Sequence, residues 1–227
     1  MTKSQTLAKN PEREPGPADR WWHFWRCEVC ESTAEDTRQK LLQAAFEEIY
    51  RVGFQAASLH NILKNTGVTK GALYHYFPNK HALGYAVVDE IVHGYLRSEW
   101  LEPLAASDDP VETLKRVMKD SAGRMTPEDV VLGCPLNNLS QEMSPVDEGF
   151  RARLENIYAE WRSALVDALE RGVRAGTVSR AVEPQRASVV IVAALEGCIG
   201  QAKNAQSGDL LARCGAGLMD YLDTLKA

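Results

Sequence analysis

Ser58-Leu59-His60-Asn61-Ile62-Leu63-Lys64-Asn65-Thr66-Gly67-Val68-Thr69-Lys70-Gly71-Ala72-Leu73-Tyr74-His75-Tyr76-Phe77-Pro78-Asn79-Lys80 is the stretch whose reading decides the fold. Ser58 stands as an N-cap before Leu59, Ile62 and Leu63, and the helix they predict ends at Asn65-Thr66-Gly67. Gly67 supplies the left-handed backbone that lets two helices cross steeply. Thr69 then caps a second short helix over Lys70–Phe77, which Pro78-Asn79 breaks, and Asn79 caps the next. Two short helices around a tight turn make a candidate helix-turn-helix.

Outward from this stretch the periodicity stays helical. Upstream, Leu41, Leu42, Ala45, Phe46, Ile49 and Tyr50 recur at three- and four-residue spacing from about Ala34 to Val52, with Thr33 and Asp36 as a capping pair and Gly53 as the stop. Downstream, Leu83, Val87, Ile91 and Tyr95 carry a longer helix toward Trp100. Asp109-Pro110 and Ser144-Pro145 read as N-cap and first helical residue, the second launching the longest pattern, Phe150 to Ala168, up to Gly176. Glu183-Pro184 opens a helix bearing the small residues Ala194, Gly197 and Gly200, and a last helix from about Asp209 carries Leu211, Cys214, Leu218, Tyr221 and Leu225 in one stripe. The expectation is an all-α protein of eight to ten helices: a poorly ordered extension over 1–34, a helix-turn-helix domain over 35–95, and a helical body over 96–227.

Composition excludes several classes. The chain has 227 residues and is 44% hydrophobic, enough for a core and incompatible with wholesale disorder or a disulfide-stapled miniprotein. Met1–Arg20 is polar and holds three prolines where a signal peptide needs an apolar run. The longest apolar stretch, Val189–Leu195, falls far short of the roughly 20 residues a bilayer requires, so no membrane partner is expected. Five cysteines, at 27, 30, 134, 198 and 214, form no disulfide framework by their spacing and suit a reducing cytoplasm. No metal, cofactor or enzyme signature emerges. Three of the five histidines, His60, His75 and His81, fall in or beside the helix-turn-helix, and no zincin, phosphate-loop or triad pattern is present. Cys27-x-x-Cys30 with His23 offers three metal ligands, one short of a closed zinc site.

The formal net charge of −5 argues globally against nucleic acid, but its distribution argues the reverse. Between Glu48 and Asp89 there is no acidic residue, while Arg51, Lys64, Lys70 and Lys80 sum to +4; the other 187 residues therefore hold −9, the difference between −5 and +4. Helix N-termini at Ser58, Thr69 and Asn79 add unpaired N–H groups suited to phosphate. Tyr74, His75 and Tyr76 crowd one turn beside Lys80 and bring hydroxyl and imidazole donors to phosphate oxygens.

Val68-Thr69-Lys70-Gly71-Ala72-Leu73-Tyr74-His75-Tyr76-Phe77-Pro78-Asn79-Lys80-His81-Ala82-Leu83, preceded by Arg38, Ala45-Phe46, Gly53-Phe54 and Ala57-Ser58, resembles the N-terminal domain of the TetR/AcrR family of bacterial transcriptional regulators. The resemblance covers roughly residues 35–95. It implies a homodimeric, all-helical repressor that leaves double-stranded operator DNA when a small molecule enters the C-terminal domain. By the same resemblance Ser58, His60, Thr69, Lys70, Gly71, Ala72, Tyr74, His75 and Tyr76 contact DNA, and Lys80 matches a phosphate-binding lysine. Because Gly71-Ala72 offers no reading side chain, Lys70 and His75 carry most direct readout. Leu73 and Phe77 read as core. A scaffold or antirepressor that keeps the helix-turn-helix without binding DNA is the competing class.

Beyond residue 95 the pattern Gly133-Cys134-Pro135-Leu136-x-Asn138-Leu139 with Glu142-Met143-Ser144 looks like one subgroup of the family, some of whose members sense electrophiles or oxidants through thiols. Trp100, Met118, Cys134, Met143, Tyr158 and Trp161 are candidates to line an effector cavity. Cys134, between a glycine and a proline at a helix boundary, is a candidate sensor thiol, with Lys203 placed to favour its thiolate. Cys198 and Cys214 sit on apolar stripes and read as small hydrophobes.

Overall fold

A computed structural model of the protein describes residues 34–227. The pair Cys27 and Cys30, His23, Thr33 and most of the expected extension lie outside the described residues. Helix α1 (Ala34–Val52) stops at Gly53, whose φ of +82° lies in the left-handed region. Helices α2 (Leu59–Thr66) and α3 (Lys70–Tyr76) flank Gly67, which has φ 68° and donates its N–H to the Leu63 carbonyl. Thr69 Oγ1 accepts from Ala72 N, and Asn79 Oδ1 from Ala82 N, as the cap positions predict. Ser58 occupies the N-cap of α2, but its hydroxyl makes no cap bond; its own N–H donates to Glu48 Oε1 at 3.1 Å.

Helix α4 (residues 80–105) runs unbroken through two π-helical segments, Val87–Val92 and Arg97–Leu101. The expected domain boundary at residue 95 thus falls inside a helix, and one buried core runs continuously from Leu41 to Leu225 across it. The body adds α5 (Pro110–Arg124), α6 (Pro127–Leu132), α7 (Pro135–Met143), α8 (Glu148–Ala175), α9 (Pro184–Ala205) and α10 (Gly208–Asp223). Asp109 and Glu183 cap α5 and α9 as expected. For α8 the expected start is corrected. Asp147 is the N-cap, its carboxylate accepting from Phe150 N at 2.8 Å, while Ser144 ends α7 and Pro145 lies in the turn between them. Among the described residues there are ten helices and no strand beyond one isolated bridge, Val178 to Lys226.

The reading of Cys198 and Cys214 as separate small hydrophobes is also corrected: they form a disulfide. Helices α9 and α10 are an antiparallel hairpin turning at Gln206-Ser207, so residues about eight positions to either side of the turn face one another.

The head docks on the body through aromatic packing that leaves no slack. Gly84 of α4 lies beneath Phe54 and Phe150, and a Cβ there would stand 2.4 Å from Phe54 Cε2 and 2.8 Å from Phe150 Cζ. Both rings are at least 97% buried and have nowhere to move. Gly84→Ala is therefore expected to destabilise by about 1–3 kcal/mol despite improving helix propensity, as urea unfolding will read out.

Candidate nucleic-acid interface and sensor core

Two short helices hold their place by what they bury. Ile62 of α2, Leu73 of α3 and Phe77 just beyond join Leu41, Leu42 and Ala45 of α1 in the core. Their opposite face is open: His60, Lys64, Thr69, Lys70, Gly71, Tyr74 and His75 are exposed, and Ser58, Ala72, Tyr76 and Lys80 are half-buried. The Lys70 ammonium sits 5.8 Å from the Tyr74 ring centroid, and His75 meets Tyr76 edge to face at 5.1 Å. At Gly71 a Cβ would meet only Thr69 Oγ1, at 4.0 Å, so the first turn of α3 presents bare backbone between Thr69 and Tyr74.

Lys80 is more than a surface cation. Its Nζ donates to the Gln55 carbonyl at 3.0 Å and lies 4.9 Å over the Phe54 ring, and desolvation lowers its pKa. One of its three N–H donors thereby fastens the turn between α1 and α2. The acids that bracket the basic stretch are each paired. Glu48 holds Ser58 N and Asn61 Nδ2, Arg38 grips Glu90 with two bonds of 2.7 and 2.5 Å, and Arg153 holds Asp89 at 2.9 Å.

Between head and body the decisive contact is one the sequence did not single out. The Glu142 carboxylate of α7 accepts from Phe54 N through Oε2 and from Gln55 N through Oε1, both at 2.8 Å. A side chain at Gly53 would collide with it, its Cβ standing 2.8 Å from Glu142 Oε2. A second clasp lies just before this turn, in the last turn of α1, where Tyr50 OH donates to the Gly133 carbonyl at 2.6 Å. Beside both contacts a cleft of about 650 Å³ opens, lined by Ile49, Tyr50 and Gly53 of the head and Asn137, Gln141 and Lys203 of the body.

The six expected cavity residues are placed differently from that cleft. Trp100 and Trp161 pair with ring centroids 5.3 Å apart, and with Met118 and Met143 they belong to the close-packed core. Tyr158 packs against the core, its hydroxyl pKa raised by burial and the charge of Glu196. Cys134 is half-buried, and its thiol donates to Glu196 Oε1 at 3.4 Å. Lys203 passes directly beside Gly133, but its ammonium bonds Asn138 Oδ1 at 2.7 Å. Burial first, and the Glu196 carboxylate second, push the Cys134 thiol well above its ordinary pKa, so this arrangement keeps a thiol and not the lysine-stabilised thiolate expected. Glu196 is itself 8% exposed, with Oε2 lacking a partner among the described residues, and burial pushes its pKa up to about 7. An acid inside the otherwise apolar run of α9 was the available signal for it. Among the described residues no group of three or more His, Cys, Asp or Glu gathers as a metal site.

A helix-turn-helix head clasped to a larger helical body is the build of a DNA-binding transcriptional regulator. Residues 41–87 match the sequence profile of bacterial regulatory proteins of the tetR family, and residues 110–216 match that of the LmrA/YxaF-like transcriptional regulator C-terminal domain. The chain belongs to the TetR family of transcriptional regulators. It is 31% identical over 165 residues to the HTH-type transcriptional regulator LmrA of Bacillus subtilis (strain 168), covering 72% of this chain and 85% of that one. It is 26% identical over 176 residues to the HTH-type transcriptional repressor NemR of Escherichia coli (strain K12), covering 77% and 88%. The crystal structure of reduced E. coli NemR superposes with a TM-score of 0.72 at 25% identity, covering 85% of this chain and 98% of that one. No helix of the described residues is long and apolar enough to cross a membrane.

The buried Glu196 makes a pH prediction. Its folded pKa of about 7 lies above the unfolded value of 4.5, so its contribution to stability is fully present below pH 4.5 and is lost as pH rises through 7. Glu196→Gln, which keeps the shape and an acceptor for the Cys134 thiol, is expected to match wild type near pH 4.5. At pH 8 it is expected to be more stable by about 1–3 kcal/mol, the order set by a shift of this size. Thermal melts across that range measure the difference.

Proposed function

We propose that the protein is a homodimeric repressor of the cytoplasm that binds a double-stranded operator through α2 and α3 and is released by a small molecule taken up by its body. The observation that carries this reading is the acid-free face of residues 49–88. Its exposed Lys64 and Lys70, the exposed N-terminus of α3 at Thr69, and the pairing of Glu48 with Ser58 N, of Glu90 with Arg38 and of Asp89 with Arg153 favour phosphate there, while Arg51 is paired with Glu128 and contributes less. In this reading Lys70 and His75 carry most base readout, Ser58, His60, Thr69, Tyr74, Tyr76 and Lys80 hold phosphates, and Gly71 and Ala72 let the backbone approach closely. Repression is the activity named for the NemR relative.

The route from body to head runs through α7. An effector that shifts this helix moves Glu142 relative to the Phe54 and Gln55 amides and Gly133 relative to Tyr50, and so re-aims α2 and α3. A non-covalent effector is favoured over direct attack on Cys134, because the thiol is held protonated against Glu196. Dimerisation is assigned to α9 and α10, whose outer face carries Val189 and Val190, 54% and 42% exposed, beside the small residues Ala193, Gly197, Ala212, Ala216 and Gly217.

Fluorescence anisotropy on the intergenic DNA next to the gene tests the reading. Affinity is expected to fall by orders of magnitude between about 50 and 200 mM salt, as for a protein that neutralises several phosphates. Lys70→Ala is expected to weaken binding and to lower the salt slope by about 1 for each phosphate that a subunit no longer neutralises. Binding that ignores salt, or no binding to that DNA, would favour the scaffold class instead.

A further inference from the structure

Helix α10 is unevenly anchored. Its C-terminal half buries Leu218 and Leu222, and Asp223 there is held by Lys115 through both carboxylate oxygens at 2.8 Å. Its N-terminal half, Gly208 to Gly217, buries no residue completely and contains Gly208, Gly215 and Gly217, each with open space where a side chain would be. Three glycines in ten residues make a poor helix, because each leaves the backbone more freedom to lose on folding. What ties this half to α9, besides the turn at Gln206-Ser207 and half-buried Leu210 and Leu211, is the bond from Cys214 to Cys198. The bond lies behind the face that carries Val189, Val190, Ala193 and Gly197 on one side and Ala212, Ala216 and Gly217 on the other.

A protein that works on chromosomal DNA does so where thiols are kept reduced, and disulfides in that setting are transient and redox-sensing more often than structural. We propose that Cys198 and Cys214 are a reversible oxidation site, closed by peroxide-class oxidants and reopened by dithiols, that sets how firmly α10 presents its share of the dimer face. This rests on the assignment of dimerisation to α9 and α10. Half-buried Cys214 is the entry point and buried Cys198 the resolving thiol. The Cys214 sulfur, as thiolate, attacks one peroxide oxygen; an S–O bond forms, the O–O bond breaks, and the leaving oxygen departs with protons as water. Cys198 sulfur then attacks the resulting sulfenic acid, the S–O bond breaks, the S–S bond forms, and a second water leaves. Two thiols give two electrons to one peroxide. A dithiol reverses the bond by exchange and is itself oxidised to a disulfide. Closing a loop between residues 16 apart in sequence restricts the unfolded alternatives of the hairpin, and the oxidised protein is the better dimer.

The test uses the full chain with Cys27, Cys30 and Cys134 replaced by Ser, so that only the pair remains. It is equilibrated with excess dithiothreitol or with stoichiometric hydrogen peroxide, and mass spectrometry after alkylation counts the free thiols. Sedimentation equilibrium then gives the dimer dissociation constant in each state. The expected result is loss of both free thiols on oxidation, their full return with dithiothreitol, and a dimer weaker by on the order of tenfold when reduced. Cys214→Ala is expected to show the reduced behaviour whatever the oxidant, with Cys198→Ala as a second check at the buried partner. A pair that does not close under peroxide, or a dimer of equal affinity in both states, overturns the switch alone. A protein that stays monomeric in both states overturns the dimer assignment and the switch with it.

Discussion

One carboxylate sets where the reading head points. Glu142 accepts hydrogen bonds from two successive backbone amides, Phe54 and Gln55, in the turn that joins α1 to α2. Bonds from amides to an ionised acceptor are worth about 1.5–3 kcal/mol when shielded from water, and the part-buried Phe54 bond carries the larger share because water can replace the exposed Gln55 bond. The turn can accept the carboxylate because Gly53, at φ +82°, keeps the space above it clear, and Lys80 closes the same turn from the other side through the Gln55 carbonyl. With these three groups in place the axis of α2 is fixed, and α3 follows through Leu73 and Phe77.

Both clasps flank the same short helix, α7. Gly133, which receives Tyr50, and Glu142, which receives the turn, are nine positions apart. Cys134 at the start of α7 is paired with Glu196 of α9, and two residues further along α9 Cys198 is bonded to α10. Direct contacts therefore link the head, the buried acid and the α9–α10 hairpin by way of α7 and α9. Among the described residues the buried side-chain atoms without a partner, Asp129 Oδ1, Trp161 Nε1, Arg171 Nε and Glu196 Oε2, all lie in the body.

Local signals were legible wherever one residue type suffices to make them. Gly67, Thr69, Asn79, Asp109 and Glu183 terminate or cap the helices that their neighbours' spacing predicts, and the charge segregation around Lys64 and Lys70 needed only the order of residues. Ser58 and Ser144 show the limit. Ser58 takes the N-cap position its place predicts without a hydroxyl cap bond, and Ser144 loses the start of α8 to Asp147. Long-range pairings were not legible. Glu142 meets residues 87 and 88 positions away, Glu196 meets Cys134 across 62, and Lys203 meets Asn138 across 65. The disulfide had a usable signal, two cysteines nearly equidistant from a hairpin turn, but its strength depends on knowing that the two helices are antiparallel and adjacent.

That the body aims the head through Glu142 is tested most directly by the operator affinity of Glu142→Ala, measured on intergenic DNA at a temperature and protein concentration where circular dichroism and sedimentation match wild type. Affinity is expected to fall by roughly tenfold, within the range of coupling energies between distant sites, while folding and assembly are retained. Unchanged affinity in a folded protein of the same oligomeric state would contradict it.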